Sequence, residues 1–301
     1  MDQLKTTKVH KIPVEAIVAA KKKTARVLQG LTNLPNIIIP PELSRDPDQD
    51  PSKILCDEVR AIFNTVSRPS LENCKQKIRR EIMDRMENLK MMQDVVQIML
   101  ASCMINSKWL DLCLELINSV WDLSAHESSE ESVTLGSLFL KGLRSNLLDY
   151  IEEKKLESMT QLHNCIDEKS QNKYNEEKNK IHNIVRLMVL LYQEKDKKKL
   201  HLSIQEILSL VQLLLQKYNF WRSQAHDYHD FENLENPKKK VYSVLIAMII
   251  LYFIEEKDLF KESALQELLP EISRIAREIP DAHTHERFVQ VLKNYNLQYT
   301  R

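Results

Sequence analysis

The sequence predicts an all-α protein, on two observations about composition and one about pattern. The chain of 301 residues contains three glycines, whereas β-rich folds depend on turns that use glycine. Leucine, isoleucine, methionine, lysine, glutamate and glutamine dominate, and these residues suit helices. Apolar residues recur with the helical period of 3.6, most clearly in the stripe from Trp109 to Trp121.

Overall charge and cysteine usage limit the functional classes. The formal net charge is zero, which gives no reason to expect nucleic acid or an acidic membrane as the main partner. Five cysteines without a framework spacing favour a reducing compartment, so we expect a cytoplasmic protein, with the nucleus as an alternative. The N-terminus lacks the apolar core of a secretory signal.

The longest apolar run, at 241–254, raises the question of a membrane. It is too short to span a bilayer, and charged triplets flank it on both sides. Such a run predicts a helix that is buried nearly all round. We therefore expect no membrane contact.

Residues 1–52 are predicted to form a basic N-terminal arm. An amphipathic helix is expected at 14–30, and a proline-rich linker follows at 33–53. Three isoleucines in the linker are expected to pack into a groove of the domain or of a partner. The candidate contact residues of the arm are Lys21, Lys22, Lys23, Ile37, Ile38 and Ile39.

A single helical-repeat domain is predicted at 53–301, with 221–301 as a C-terminal helical extension. Pairs of helices joined by variable polar loops indicate stacked helical hairpins of the HEAT or armadillo type. The tract 157–180 is either a loop or a solvated extension of the next helix. Helices are expected at about 53–66, 70–88, 89–104, 107–123, 133–154, 181–195, 202–219, 238–255, 258–277 and 281–294.

The known catalytic and cofactor signatures are absent from the sequence. It contains no glycine-rich phosphate loop, no Gly-x-Ser-x-Gly and no His-Glu-x-x-His. His226 and His229 are spaced as on one helical face, but no further metal ligand accompanies them, so a hydrophilic loop is favoured. We predict a non-enzymatic protein without cofactor or metal, and an all-α enzyme with an unrecognised site is the alternative.

Short basic runs and one aromatic segment are the candidate contact sites of the domain. Such runs are usually solvated helix ends, but on one face they would bind RNA phosphates. The segment 220–222 suits a binding anchor, because Trp and Arg are enriched at interface hot spots; core packing is the alternative. The candidates are Lys75, Lys77, Arg80, Phe220, Trp221, Arg222, Lys238, Lys239 and Lys240.

The segment 59–78, VRAIFNTVSRPSLENCKQKI, resembles the first hairpin of the middle domain of the initiation factor 4 gamma scaffold family. That family opens with Val-Arg-x-Ile-x-Asn-x-(Leu/Val)-(Ser/Thr). Segments 95–117 and 139–154 are similar to later helices of the family. In this alignment Trp109 stands where the family has an aromatic residue, and Cys113 stands where it has a cysteine. The motif positions that match are Val59, Arg60, Ile62, Asn64, Val66 and Ser67.

The resemblance covers about residues 54–220 and implies a non-enzymatic HEAT-type scaffold in RNA metabolism. The partners that it implies are a DEAD-box helicase or another factor of translation or mRNA fate, with RNA as a further candidate. The alternative is a HEAT- or armadillo-like scaffold outside RNA biology, in cytoskeletal or trafficking assembly. The oligomeric state and the identity of the partner stay open.

Overall fold

A computed structural model shows an all-α protein, as predicted. It describes residues 50–105, 107–125, 133–194, 199–224, 235–256 and 259–295. The predictions for the arm residues Lys21–Lys23 and Ile37–Ile39, and for His226 and His229, lie outside these ranges. The strands in the described ranges form one antiparallel pair, β1 (Ser124–Ala125) and β2 (Val133–Thr134), which flanks the polar break before the third hairpin.

The chain from Pro51 onward forms one compact unit of helices. Three 3₁₀ turns, at Arg68–Ser70, Ser107–Trp109 and Leu259–Lys261, connect successive helices. The helices are α1 (Pro51–Thr65), α2 (Leu71–Arg85), α3 (Leu89–Ile105), α4 (Leu110–Asn118), α5 (Leu135–Asp149), α6 (Glu153–Asn164), α7 (Glu168–Gln193), α8 (Ile204–Gln224), α9 (Glu235–Glu255), α10 (Ser263–Gln266), α11 (Leu269–Glu278) and α12 (Ala282–Lys293).

The helical hairpins stack in two rows. In one row α3 contacts both α1 and α5, and in the other α2, α4, α7, α9 and α12 contact one another in that order. Helix α6 lies against α7 and α9, while α8 packs mainly on α9. Contacts between neighbouring hairpins are the defining feature of helical-repeat proteins, so the predicted stack of hairpins is confirmed.

Helix α9 lies inside the stack, as its sequence predicted. Every residue from Leu245 to Ile254 is buried, because α6, α7, α8 and α12 surround the helix. None of the described helices combines the length and the hydropathy that crossing a bilayer would require. The apolar run is therefore explained by burial inside the protein.

Several helix boundaries differ from the predicted ones for local reasons. The helix predicted at 107–123 starts as a 3₁₀ turn and ends at Asn118, where the Ser119 hydroxyl donates to the Leu116 carbonyl at 2.6 Å. The tract 157–180 is helical, divided between α6 and α7, and Asp167 caps the second helix. Pro270, at the start of α11, interrupts the helix predicted at 258–277, since proline lacks the N–H that a helix interior needs.

A buried carboxylate links three helices in the middle of the stack. Glu177 of α7 accepts hydrogen bonds from the Tyr150 hydroxyl at 2.9 Å, from Lys155 at 2.6 Å and from Lys180 at 2.7 Å. Burial raises the pKa of Glu177, but the bonds from Lys155, Lys180 and Tyr150 outweigh it and bring the pKa to about 2. Burial and the Glu177 charge raise the pKa of Tyr150, so its hydroxyl stays a donor.

Glu177→Gln is expected to lower the free energy of unfolding at pH 7 by about 1–3 kcal/mol, because the carboxylate loses two charge-assisted bonds. A carboxylate whose pKa is lower in the folded than in the unfolded state stabilises the fold at pH values above its unfolded-state pKa. This stabilisation is lost as the pH falls. The difference in the free energy of unfolding between wild type and variant should therefore be largest above about pH 4.5 and shrink toward pH 2. Urea unfolding at several pH values measures it.

Glu176→Gln is the matched control, since Glu176 is the preceding residue on α7 and is exposed. This control should unfold like the wild type at every pH. If Glu177→Gln and Glu176→Gln gave the same stability at pH 7, the stabilising role of the buried network would be wrong.

Candidate protein-interaction surface

Exposed apolar side chains are the first sign of an interaction surface, because monomeric proteins bury most large apolar residues. Two of the five exposed ones share one corner, between α3 and α4. The exposed large apolar residues of the described ranges are Met83 (61%), Ile105 (70%), Trp109 (46%), Ile166 (98%) and Phe220 (51%).

Ile105 is the last residue of α3, and Trp109 ends the 3₁₀ turn that leads into α4. Trp109 is the N-cap residue of α4, with φ −124° and ψ 18°, so it precedes the first helical turn. The sequence placed Trp109 in the apolar stripe of one continuous helix, and its half-exposure corrects that expectation. The polar stretch Asn106-Ser107-Lys108 before Trp109 was the signal that could have indicated a corner.

Two contacts locate this corner relative to its neighbours. The Asn183 amide of α7 donates to the Met104 carbonyl at the end of α3, at 2.6 Å. Arg68, in the turn between α1 and α2, lies 3.8 Å from Asp111 at the start of α4. The α1–α2 and α3–α4 corners therefore adjoin. We call the set Arg68, Ile105, Lys108, Trp109 and Asp111 the corner surface.

The corner surface combines an apolar centre with charged neighbours. Lys108 is exposed beside Trp109, and the side chains of Arg68 and Asp111 are 83% and 58% exposed. Protein interfaces show this combination of a buried aromatic anchor within a polar rim. The arrangement suits contact with a protein segment.

Most of the basic run on α2 is paired with acidic residues. Lys75 contacts Glu115 at 2.9 Å and Glu72 at 3.0 Å, and Lys199 also approaches Glu115, at 3.4 Å. The hydrogen bond from Lys75 lowers the pKa of Glu115, although burial opposes this. The lysine that the sequence offered as an RNA contact therefore belongs to an ion-pair network between α2 and α4.

Arg79 of the same run is paired as well. Its guanidinium donates to both carboxylate oxygens of Asp122, at 2.9 and 3.2 Å, and to the Ser119 carbonyl at 2.7 Å. This bidentate bond lowers the pKa of Asp122. Arg79 therefore connects α2 to the end of the second hairpin.

Lys77 and Arg80 remain closer to solvent. Together with Asn73 and Gln76 they line a shallow depression on the outer face of α2. Lys77 lies 3.5 Å from Glu58, and Arg80 lies 3.5 Å from Glu81. Both charges thus have an acidic neighbour, although Glu81 is shared with Arg85, which lies closer to it, at 3.2 Å.

The segment 220–222 divides between surface and core. Phe220 is half-exposed, and its ring packs edge-on against Trp221, with centroids 4.9 Å apart. Trp221 is buried against Tyr242 of α9, with ring centroids 5.0 Å apart, and Arg222 lies 3.8 Å from Glu278. Trp221 is therefore a core residue, which was the alternative interpretation of this segment. Among residues 220–222, Phe220 is the one whose ring is exposed to a partner.

The basic run at 238–240 lies elsewhere in the stack. Lys238, at the start of α9, lies 3.7 Å from Glu157 of α6, and α4 and α7 separate α9 from α2 in their row. Lys238 and Lys240 are exposed, and Lys239 is half-buried. The structure thus does not bring the basic runs of α2 and α9 onto one common surface.

Two of the cysteine thiols are held in their neutral form. All five thiols are free. Hydrogen bonding with Cys113 and burial raise the pKa of the Cys103 thiol, and burial and the Asp94 charge raise the pKa of Cys56, so both stay neutral. Within the described ranges, no group of three or more His, Cys, Asp or Glu side chains could hold a metal ion.

Comparison with solved structures shows a distant likeness. No protein-family model matches the sequence. The chain is similar to a solved structure described as the MIF4G domain of Trypanosoma cruzi translation initiation factor EIF4G5, with 16% identity and a TM-score of 0.39. The match covers 82% of this chain and 99% of that chain.

The two tryptophans should differ in their contribution to stability. Trp221→Ala is expected to lower the free energy of unfolding by about 3–5 kcal/mol, because it leaves a cavity against α9. Trp109→Ala should cost about 1 kcal/mol, because nearly half of this side chain is already in water. Urea unfolding of both variants measures the difference, and equal losses would place Trp109 in the core and contradict the corner surface.

Proposed function

We propose that this protein is a non-enzymatic helical scaffold that binds a protein partner through the corner surface. The exposure of Ile105 and Trp109 at one corner, 70% and 46%, is the observation that carries the proposal. Tryptophan is one of the residue types that most often supply the binding energy of a protein interface. The charged residues around them suit the rim of such an interface.

A protein partner is favoured over RNA by the electrostatics of the described residues. Binding to phosphates depends on basic side chains that release counterions. Here Lys75 and Arg79 are held by Glu115 and Asp122, and the remaining cations of α2 have acidic neighbours. RNA is therefore the secondary candidate.

The sequence resemblance to the middle domain of initiation factor 4 gamma suggests the process. It points to translation initiation or mRNA fate in the cytoplasm, and to a DEAD-box helicase as the class of partner. In that resemblance Trp109 takes the family's aromatic place within the second hairpin. The alternative, a scaffold in cytoskeletal or trafficking assembly, uses the same surface with a different partner.

The double variant Ile105→Ser with Trp109→Ala should lose the partner while it remains folded. Recombinant chain is used as bait in cell extract, with and without RNase, and bound proteins are identified by mass spectrometry. We expect a DEAD-box helicase or another translation or mRNA-decay factor to be retained after RNase by the wild type. Circular dichroism melting verifies that the variant is folded.

Met83→Ser with Ile166→Ser is the matched control, because both residues are exposed apolar side chains away from the corner. This control should retain the same partner as the wild type. Recovery of only cytoskeletal or trafficking proteins would favour the alternative process. Equal recovery by the corner variant would contradict the corner surface, and loss on RNase treatment would show that RNA mediates the binding.

A further inference from the structure

Helix α12 ends the row of described helices and packs mainly on α9 and α11. Its apolar residues Phe288 and Leu292 are buried. Just beyond the helix, the Tyr295 hydroxyl donates to the Ile254 carbonyl at 2.8 Å. A helix at the end of a row is covered from one side only, so it opens at a lower cost in free energy than the helices inside the stack.

Polar side chains of three helices meet beside these apolar contacts. The ring of Tyr252 on α9 lies against the His182 ring of α7, with centroids 4.8 Å apart, and the Arg287 guanidinium of α12 lies 5.6 Å from the centre of the same tyrosine ring. Arg287 also donates to Glu255 of α9, from Nη2 at 2.5 Å and from Nε at 3.2 Å. Both His182 and Arg287 are half-buried. We call His182, Tyr252, Glu255 and Arg287 the α12 joint.

The surroundings of His182 disfavour a further positive charge. Burial lowers the pKa of His182, and the charges of Arg186 and Arg287 lower it further. Glu255 opposes this shift, but its carboxylate already accepts two hydrogen bonds from Arg287. Burial and the Arg287 charge also lower the pKa of Lys178, one turn before His182 on α7. The imidazole is therefore neutral at pH 7, and a proton on it brings a second cation next to Arg287.

Two other titratable groups near α12 keep their contacts when the pH falls. Nδ1 of His285 lies 2.7 Å from the Ala276 carbonyl oxygen. Because a carbonyl only accepts, this nitrogen carries a hydrogen in both charge states of the ring. Burial raises the pKa of Tyr252, so its hydroxyl stays neutral.

The histidines near the start of α12 act in the opposite direction to His182. Asp281 is the N-cap of the helix and accepts from the Thr284 N–H at 2.7 Å. Burial raises the pKa of this carboxyl, but its bond to Thr284 outweighs burial, and the charges of His283 and His163 add to the lowering. Protonation of these two histidines therefore strengthens their attraction to the cap and favours a docked α12.

We propose that the α12 joint is a pH-sensitive switch, in which a proton on His182 releases α12 in mildly acidic solution while the rest of the stack stays folded. The proton creates repulsion between His182 and Arg287 across the Tyr252 ring. Repulsion between α7 and α12 is relieved when α12 moves away, because both side chains then reach water. The switch goes beyond the proposed scaffold function and is independent of the corner surface.

The direction of the pH dependence follows from the linkage between protonation and opening. In the open state His182 is in water and has the ordinary pKa of about 6.5, whereas in the closed state its pKa is lower. The closed state is thus most stable above about pH 6.5 and loses stability as the pH falls toward the closed-state pKa. Since opening takes up one proton, its equilibrium constant rises by at most about tenfold per pH unit.

Hydrogen exchange of the full chain, followed by mass spectrometry between about pH 7.5 and pH 5, tests the switch. Protection factors, the ratios of intrinsic to measured exchange rates, remove the pH dependence of the exchange chemistry itself. We expect the protection of residues 282–293 to fall by up to about tenfold per pH unit below about pH 6.5, while the protection of α3 is unchanged. Constant protection of α12, or an equal loss in α3, would overturn the proposal.

Two substitutions of the titrating residue are matched with one control. His182→Phe keeps an aromatic ring against Tyr252 but cannot take up a proton, so the protection of α12 should no longer depend on pH. His182→Gln should behave in the same way and replaces the first variant if circular dichroism shows that it is unfolded. His283→Gln removes an exposed histidine of α12 itself and should retain the acid-induced loss. A loss in the folded His182 variant as large as in the wild type would contradict the switch.

Titration of the His182 imidazole by NMR measures the same linkage without any effect on folding, with His182→Gln to identify its signal. A pKa below 6.5 is expected. Arg287→Gln should raise this pKa, because it removes the repelling charge and frees Glu255. A wild-type pKa at or above about 6.5, or a pKa that is the same in Arg287→Gln, would rule out His182 as the sensor.

Discussion

Burial of apolar surface between neighbouring hairpins is the interaction on which this fold depends. A single helical hairpin leaves one apolar face in water and gains stability only when the next hairpin covers it. The row from α2 through α4, α7 and α9 to α12 provides these contacts. Helix α9 shows the effect most clearly, because ten consecutive residues, from Leu245 to Ile254, are buried.

The same constraint determines which surfaces remain for function. Helices inside a row are covered on most sides, so partners can reach mainly the corners between helices and the faces of helices at the edge. Ile105 and Trp109 lie at a corner, and Phe220 lies on α8, which packs mainly on one neighbour. These positions expose large apolar side chains while the core stays covered. The Glu177 network holds α5, α6 and α7 together in the middle of the stack.

The sequence predicted what depends on local pattern and failed where distant residues decide. The fold class, the buried helix at 241–254 and most of the helices follow from apolar periodicity and low glycine content. Sequence reasoning missed α6 as a separate helix, because its polar residues conceal Leu156, Met159 and the short apolar face that they form. It also treated Trp109 as core, since a periodic stripe does not reveal that the helix starts after its first member.

The site predictions show the same limit. Lys75 was proposed as a partner or RNA contact from its position in a basic run. Its acidic partner, Glu115, is 40 residues away in the sequence and 2.9 Å away in the structure. Trp221 was likewise offered as an anchor, yet Tyr242 covers it from the next helix. Residues that are distant in sequence and meet only in the folded chain cannot be identified from the spacing of residues within one segment.

The paired basic run has a consequence for RNA binding that net charge alone would not suggest. A phosphate that approaches Lys75 or Arg79 must compete with a carboxylate that the fold already holds at bonding distance. Such an intramolecular partner acts at a high effective concentration, and the depressed pKa values of Glu115 and Asp122 mean that both partners stay ionised at neutral pH. These cations therefore contribute to the cohesion of the first two hairpins and are less available to phosphates than their number suggests.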